Sequence, residues 1–197
     1  MNAKKIAITS AVSALVILGI GFMVIKVNAG PHIPKEFFQE RIQGAGAAKN
    51  LARMVSDSLA NLVKIEALDK EGNITQAINL VAYEREINKE KQAAAVLLAS
   101  NLQKMAEFTK AITPIEARQA SVEAVTSGVA LVSNVITYNS YLDGLFEALS
   151  AKFARLPYSG RSVKDLIANI NAEARTINDL SQRFNALLAD FDAQFVK

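Results

Sequence analysis

The chain has 197 residues, with 22 basic and 19 acidic side chains, one histidine, no cysteine and no tryptophan. That length leaves room for one ordinary domain. The lack of cysteine excludes a disulfide framework, a thiol nucleophile, and iron–sulfur or thiolate zinc sites. Lys4, Lys5 and Lys26 are the only charged residues before Pro34. Removing those three from the 22 basic residues leaves 19, matched by the 19 acidic ones. The remainder is formally neutral, which argues against a nucleic-acid partner, since that would require a basic face.

The N-terminus dominates the sequence. Ile6 to Ile25 reads IAITSAVSALVILGIGFMVI, without a charge. At helical rise such a run is ~30 Å long, enough to cross a bilayer core. The segment 1–27 is therefore expected to be a membrane anchor. The competing expectation is a signal peptide cleaved after Val27-Asn28-Ala29. The apolar run is longer than a signal core, however, and Lys26 interrupts it before the site. Lys4 and Lys5 favour a cytoplasmic N-terminus with the bulk of the chain outside, as a single-pass cell-membrane protein. Lys26, Lys35 and Arg41 reduce that asymmetry. Gly19 and Gly21 are two apart, not at the four-residue spacing that brings spans together, so homo-oligomerisation is left open.

Gly30-Pro31-His32-Ile33-Pro34 reads as a stiff break, placed at 28–33, because two prolines cannot both continue a helix. Four helices are expected after it, at about 34–68, 74–112, 114–156 and 163–196. The first carries Phe38, Ile42, Leu51, Val55, Leu59, Leu62 and Glu66 along one line. Gly44-Ala45-Gly46 interrupts it, either admitting a close neighbour or weakening the turn. Asp69 to Asn73 is a turn. Asn73-Ile74-Thr75 also matches the glycosylation acceptor pattern, which has meaning only in an exporting eukaryote. The second helix shows an apolar side at Leu97, Leu98, Leu102, Met105 and Ile112. Its charge run Tyr83–Gln92, YEREINKEKQ, is expected to be a solvated face, with a docking strip as the alternative.

Thr113-Pro114-Ile115-Glu116 predicts a capping box, with threonine as cap, proline first in the helix and glutamate closing it. The third stripe is Val122, Val125, Val129, Val132, Ile136, Leu142, Phe146, Leu149, Phe153 and Leu156. Asn139 falls on it and is expected to be partly exposed where the seam drifts, rather than buried to fix register. Ala124–Tyr138 is apolar but too short to span, and reads as core. Pro157 to Arg161 ends the helix. Ser162 caps the fourth, with Asp165 at its third position. The fourth stripe is Val163, Leu166, Ile170, Ile177, Phe184, Leu188 and Phe191. The expected fold is all-α: an N-terminal transmembrane helix, then a long antiparallel up-down-up-down four-helix bundle over 34–197.

The chemistry of catalysis is sparse. His32 stands alone beside the anchor, so zinc, copper and di-iron ligand sets fail, as does a serine triad. Gly44-Ala45-Gly46 is not a phosphate loop. No catalytic, cofactor-binding or metal residue is assigned, and no cofactor is expected.

Four stretches resemble the LemA family. Asp57-Ser58-Leu59-Ala60-Asn61-Leu62-Val63 is similar to its Asp-Leu-Ile-Pro-Asn-Leu-Val segment. Thr113 to Arg118 is similar to its Thr-Pro-Glu-Glu helix start. Leu156-Pro157-Tyr158 lies where the family has Tyr-Pro. Phe184-Asn185 and Phe191-Asp192 stand in for two Tyr-Asn pairs. Met54-Val55 replaces its paired arginines and Ala60 its proline, and the Ala-Trp and the final Phe-Pro are absent. The resemblance implies a bacterial membrane protein with one N-terminal span, a helical bundle and no catalysis.

The leading expectation is a non-enzymatic scaffold or interaction module that binds other proteins. Its contacts would lie at the turns 69–73 and 157–161, which would share the end far from the membrane: Asp69, Lys70, Glu71, Tyr158 and Arg161. The alternatives are a sensory ectodomain binding a ligand between helices and a secreted α-helical effector.

Overall fold

The computed structural model describes residues 32–196. The expected anchor and its cleavage site lie outside the described residues. Four helices form: α1 Lys35–Lys70, α2 Ile74–Thr109, α3 Ile115–Phe153 and α4 Val163–Phe195. Among the described residues there is no strand. The one isolated backbone bridge joins His32 to Thr113.

The helix ends follow from local chemistry. After α1, Asn73 N–H donates to the Leu68 carbonyl (2.8 Å) and Gly72 N–H to the Asp69 carbonyl (3.2 Å), with Gly72 at φ 75°. This is a Schellman closure, which places a left-handed residue just past the helix. Asn73 then begins α2, its carbonyl accepting from Ala77 N–H at 3.1 Å. The same closure ends α3 with Arg155 in the left-handed position: Leu156 N–H donates to Ala151 (2.9 Å) and Arg155 N–H to Lys152 (3.1 Å). The helix therefore stops at Phe153 rather than at 156. Ser162 caps α4, accepting from Asp165 N–H at 3.1 Å and donating to the Asp165 carboxylate at 2.7 Å.

The start of α3 departs from the expected capping box. Thr113 exchanges backbone hydrogen bonds with His32, and its hydroxyl accepts from His32 N–H at 3.2 Å. That pairing holds Thr113 extended and occupies its side chain. The first helical bond instead runs from Arg118 N–H to the Pro114 carbonyl, and α2 ends at Thr109 rather than at 112.

The described residues divide into two compact units. One takes the chain up to Lys49 with Val96–Ser133 and the residues from Leu180 onward; the other takes Asn50–Ala95 and Asn134–Asp179. Every helix gives one segment to each unit, and both are helical bundles.

The first unit has an aromatic interior. Phe37 packs against Phe191 with tilted rings (centroids 5.3 Å apart, planes at 52°), and Phe191 meets Phe195 at 5.5 Å. Leu98, Leu102, Met105, Leu131, Phe184 and Leu188 are buried with them. Full burial stabilises each such side chain by ~1.5–3 kcal/mol. α1 passes unbroken through Gly44-Ala45-Gly46, and Gly44 is buried beside Phe184 and Met105. Arg41–Asp192, Lys104–Glu40 and Arg183–Glu123 pair at the margins.

The second unit buries Val55, Ile65, Val81, Leu142, Phe146, Leu166, Ile170 and Ile177, together with several polar side chains. In length and hydropathy α3 alone among the described helices could cross a membrane, yet its Leu131, Val132, Val135, Leu142, Leu145 and Phe146 are buried in the two interiors.

Six residues assigned to the apolar stripes are exposed: Ile42, Leu97, Val122, Ile136, Leu156 and Val163. On α3 the true face is rotated, because Ser121, Ala124 and Gly128 take buried positions. Small residues there let neighbouring side chains approach closely, which a count of large apolar residues misses. A Cβ at Gly128 would sit 2.5 Å from Leu102 Cδ2 and 3.1 Å from Phe184 Cε2. Both neighbours are fully buried and have nowhere to retreat. Gly128→Ala should therefore destabilise the chain by ~1–3 kcal/mol from overpacking, less the helix-propensity gain. Gly46, also in a helix, has nothing within 4 Å of its Cβ position, so Gly46→Ala should stabilise by ~0.5–1 kcal/mol. Urea unfolding of the full chain in detergent separates the two, and equal effects would contradict the packing account.

Candidate functional site

Two sets of residues qualify. The first is the turn region of the second unit, where the sequence placed a contact end. Asp69 is ion-paired to Lys152. Lys70 pairs with Glu66 at 2.6 Å. Glu71 accepts from Asn73 Nδ2 at 3.0 Å. Tyr158 donates its hydroxyl to the Gly144 carbonyl at 3.3 Å. Arg161 lies over the Tyr141 ring, 5.4 Å from its centroid. The Asp69–Lys152 pair ties the α1–α2 turn to the end of α3, and Tyr158 and Arg161 fold the α3–α4 connection back onto α3.

The second set was not anticipated. The charge run Tyr83–Gln92 is not simply a solvated face. Tyr83, Arg85, Glu86, Lys89 and Glu90 are exposed, but Glu84, Asn88 and Lys91 are buried. These three continue the spacing of Ala77 and Val81 before them and Ala95, Leu98, Leu102 and Met105 after them, all buried. The steps alternate between four and three, the seam of a helix packed against neighbours. Charged residues occupy seam positions, so burial follows from the helix face and not from residue type.

Their hydrogen bonds form a relay. The Lys91 ammonium donates to Ser58 Oγ at 2.7 Å. The Ser58 hydroxyl donates to Glu84 Oε2 at 2.7 Å. Asn61 Nδ2 donates to Glu84 Oε1 at 2.6 Å. Lys91 Nζ also stands 5.0 Å from the Tyr138 ring centroid, within cation–π range. One helical turn away, Asn88 Nδ2 donates to the Asn139 carbonyl (3.2 Å) and to Asp143 Oδ1 (2.7 Å). Asn139 is buried, not partly exposed as its place on a drifting seam indicated.

Burial pulls the Lys91 pKa from its usual 10.5 down to about 8, against the opposing pull of the Glu84 and Asp143 charges. Burial, reinforced by the Glu84 charge, pushes the Tyr138 phenol well above its ordinary range.

A serine beside a lysine of lowered pKa is the make-up of an activated nucleophile. The donor directions oppose that role. Lys91 donates to Ser58 instead of accepting from it, and the serine proton is directed at Glu84. All three side chains are buried. The arrangement neutralises and solvates charge inside the unit. Among the described residues no group of three or more His, Cys, Asp or Glu side chains gathers as a metal would need. No protein-family model matches the chain, and neither a curated relative nor a solved structure matches it.

The relay makes two measurable demands. Removing one partner strands the other charge in the interior, which costs about 3–5 kcal/mol, whereas replacing both with apolar groups is neutral or stabilising. Glu84→Ala should therefore unfold in urea far earlier than the parent, and the double variant Glu84→Leu, Lys91→Met should recover that loss. Additive losses would contradict the pairing.

The second demand concerns pH. Lys91 releases its proton near pH 8 when folded and near 10.5 when unfolded. Between those values the unfolded chain holds more protons, so rising pH favours the folded state. Relative to Lys91→Met, the parent should gain stability from pH 7 to pH 9.5, by about 2 kcal/mol. Above pH ~10 the Tyr138 phenol lowers the stability of both chains, because the unfolded chain ionises first, and it cancels from the difference. A parent-minus-variant difference that is flat with pH would contradict the buried ammonium.

Proposed function

We propose that the chain is a membrane-anchored interaction module without catalysis, in which one N-terminal span carries an up-down-up-down four-helix bundle. The observation that carries the reading is the uncharged run Ile6–Ile25, bounded by Lys4, Lys5 and Lys26 and long enough for a bilayer core. Ser58, Glu84 and Lys91 satisfy one another and are buried, which supports a structural role for that serine–lysine pair. This plan is the one that the resemblance to the LemA family implies.

Lys4 and Lys5 direct the N-terminus to the cytoplasm and the bundle to the outer side of a bacterial cell membrane. The bundle then meets other proteins through its polar turns, with Asp69, Lys70, Glu71, Tyr158 and Arg161 in the contact region. Loops on a rigid scaffold are the usual place for such contacts.

The test is a C-terminally tagged full chain in intact cells. Resistance to alkaline extraction, digestion of the tag by external protease and an uncleaved N-terminus are the expected results. A protected tag would move the bundle to the cytoplasm. A mature chain beginning at Gly30 would remove the anchor and replace this reading with a secreted effector.

A further inference from the structure

The α3–α4 connection is the most continuous open surface of the second unit. Every residue from Ala154 to Asp165 is exposed. Leu156 leaves 64% of its surface in solvent. No acid occurs between Glu147 and Asp165, whereas Arg155, Arg161 and Lys164 fall within it. Among the described residues none of these three cations has an ion-pair partner. The acids of the neighbouring turn are engaged, Asp69 by Lys152 and Glu71 by Asn73. Asp165 is held by Ser162 at the start of α4. The surface therefore carries unmet positive charge beside exposed apolar side chains. It is also held in place, through Tyr158 on the Gly144 carbonyl and Arg161 over Tyr141.

We propose that this connection docks an acidic segment of a partner protein, with Arg155, Arg161 and Lys164 taking its carboxylates and Leu156 and Tyr158 covering its apolar side chains. The inference rests on the reading of the chain as an interaction module and specifies the chemistry of the partner. Guanidinium groups bind carboxylates in fixed, two-pronged geometry, which an ammonium does not. Arginine and tyrosine are also the side chains on which protein interfaces concentrate binding energy. Two of the three cations are arginines and the aromatic is a positioned tyrosine, a composition suited to a protein surface rather than to an anionic bilayer.

The experiment places a photo-crosslinker at an exposed position whose side chain makes no hydrogen bond, Leu156→p-benzoylphenylalanine, in the full chain in native membranes. Crosslinked peptides are then sequenced. The expected product is a peptide rich in Asp and Glu. Its yield should fall roughly tenfold or more on reversing Arg155, Arg161 and Lys164 to Glu. It should recover when the acids of that peptide are changed to lysine in the partner. The milder set Arg155→Gln, Arg161→Gln and Lys164→Gln, with helix content followed by circular dichroism, guards against misfolding of the reversed variant. Crosslinks to lipid alone, to a peptide without acidic excess, or to nothing would overturn the proposal. So would a yield indifferent to the charge changes. Fractionation of the same membranes reports the anchor separately, so a lost anchor and a lost docking surface give different results.

Discussion

The interior of the second unit depends on one arrangement: a lysine and a glutamate kept out of water with a serine between them. Two isolated charges in that interior would be prohibitive. Ser58 resolves the problem by accepting from Lys91 and donating to Glu84, while Asn61 takes the other carboxylate oxygen. Ser58 belongs to α1, Glu84 and Lys91 to α2, and Tyr138 beneath the ammonium to α3. Sliding one of these helices by a heptad would set apolar side chains against both charges. Seams built on repeated three- and four-residue steps are otherwise degenerate in register. The relay removes that degeneracy, since one alignment alone satisfies every member.

The two interiors answer the same packing problem differently. The first unit fills its space with phenylalanine and leucine and allows α3 a glycine at Gly128, where Leu102 and Phe184 press close. Both leave buried polar atoms without partners: Glu40 Oε2, Arg41 Nε, Ser127 Oγ and Asp192 Oδ1 in the first, Asn88 Oδ1, both side-chain atoms of Asn139 and Glu173 Oε2 in the second. What sets the second apart is the charge it buries, the Glu84 carboxylate and the Lys91 ammonium joined through Ser58. Polar interiors concentrate the free energy in a few bonds, so the second unit is the one whose local opening should respond to single substitutions and to pH.

The helical architecture was legible in the sequence because three and four residue steps recur in every segment, and because Gly72 and Ser162 mark an end and a start by mechanisms that act over a few residues. What misled is equally specific. Thr113 has the right neighbours for a cap, but His32, far away in sequence, takes its hydroxyl. Ile42, Leu97 and Val122 are apolar and exposed, while Gly128 and Ser121 are small and buried, since close approach selects for size and not for hydrophobicity. Glu84, Asn88 and Lys91 are hidden by their own polarity. Their spacing follows the seam although their residue types do not. The seam from Val81 to Met105 was the signal that would have found them.

The contact end shows the complementary lesson. All five residues singled out from the sequence sit in or beside the turns of the second unit, but Asp69, Lys70 and Glu71 find partners within the fold. A charge already paired must give up an existing interaction before it meets a partner, so these three contribute less to the contact region than unpaired cations do. Arg155 and Lys164, which sequence inspection passed over, have no such partner, and the apolar Leu156 beside them is open to water. Inside the second unit the buried charges of Glu84 and Lys91 are answered within the chain, whereas along the α3–α4 connection cations remain unanswered. The proposed docking surface therefore lies where the electrostatics of the unit are incomplete, at its exposed connection.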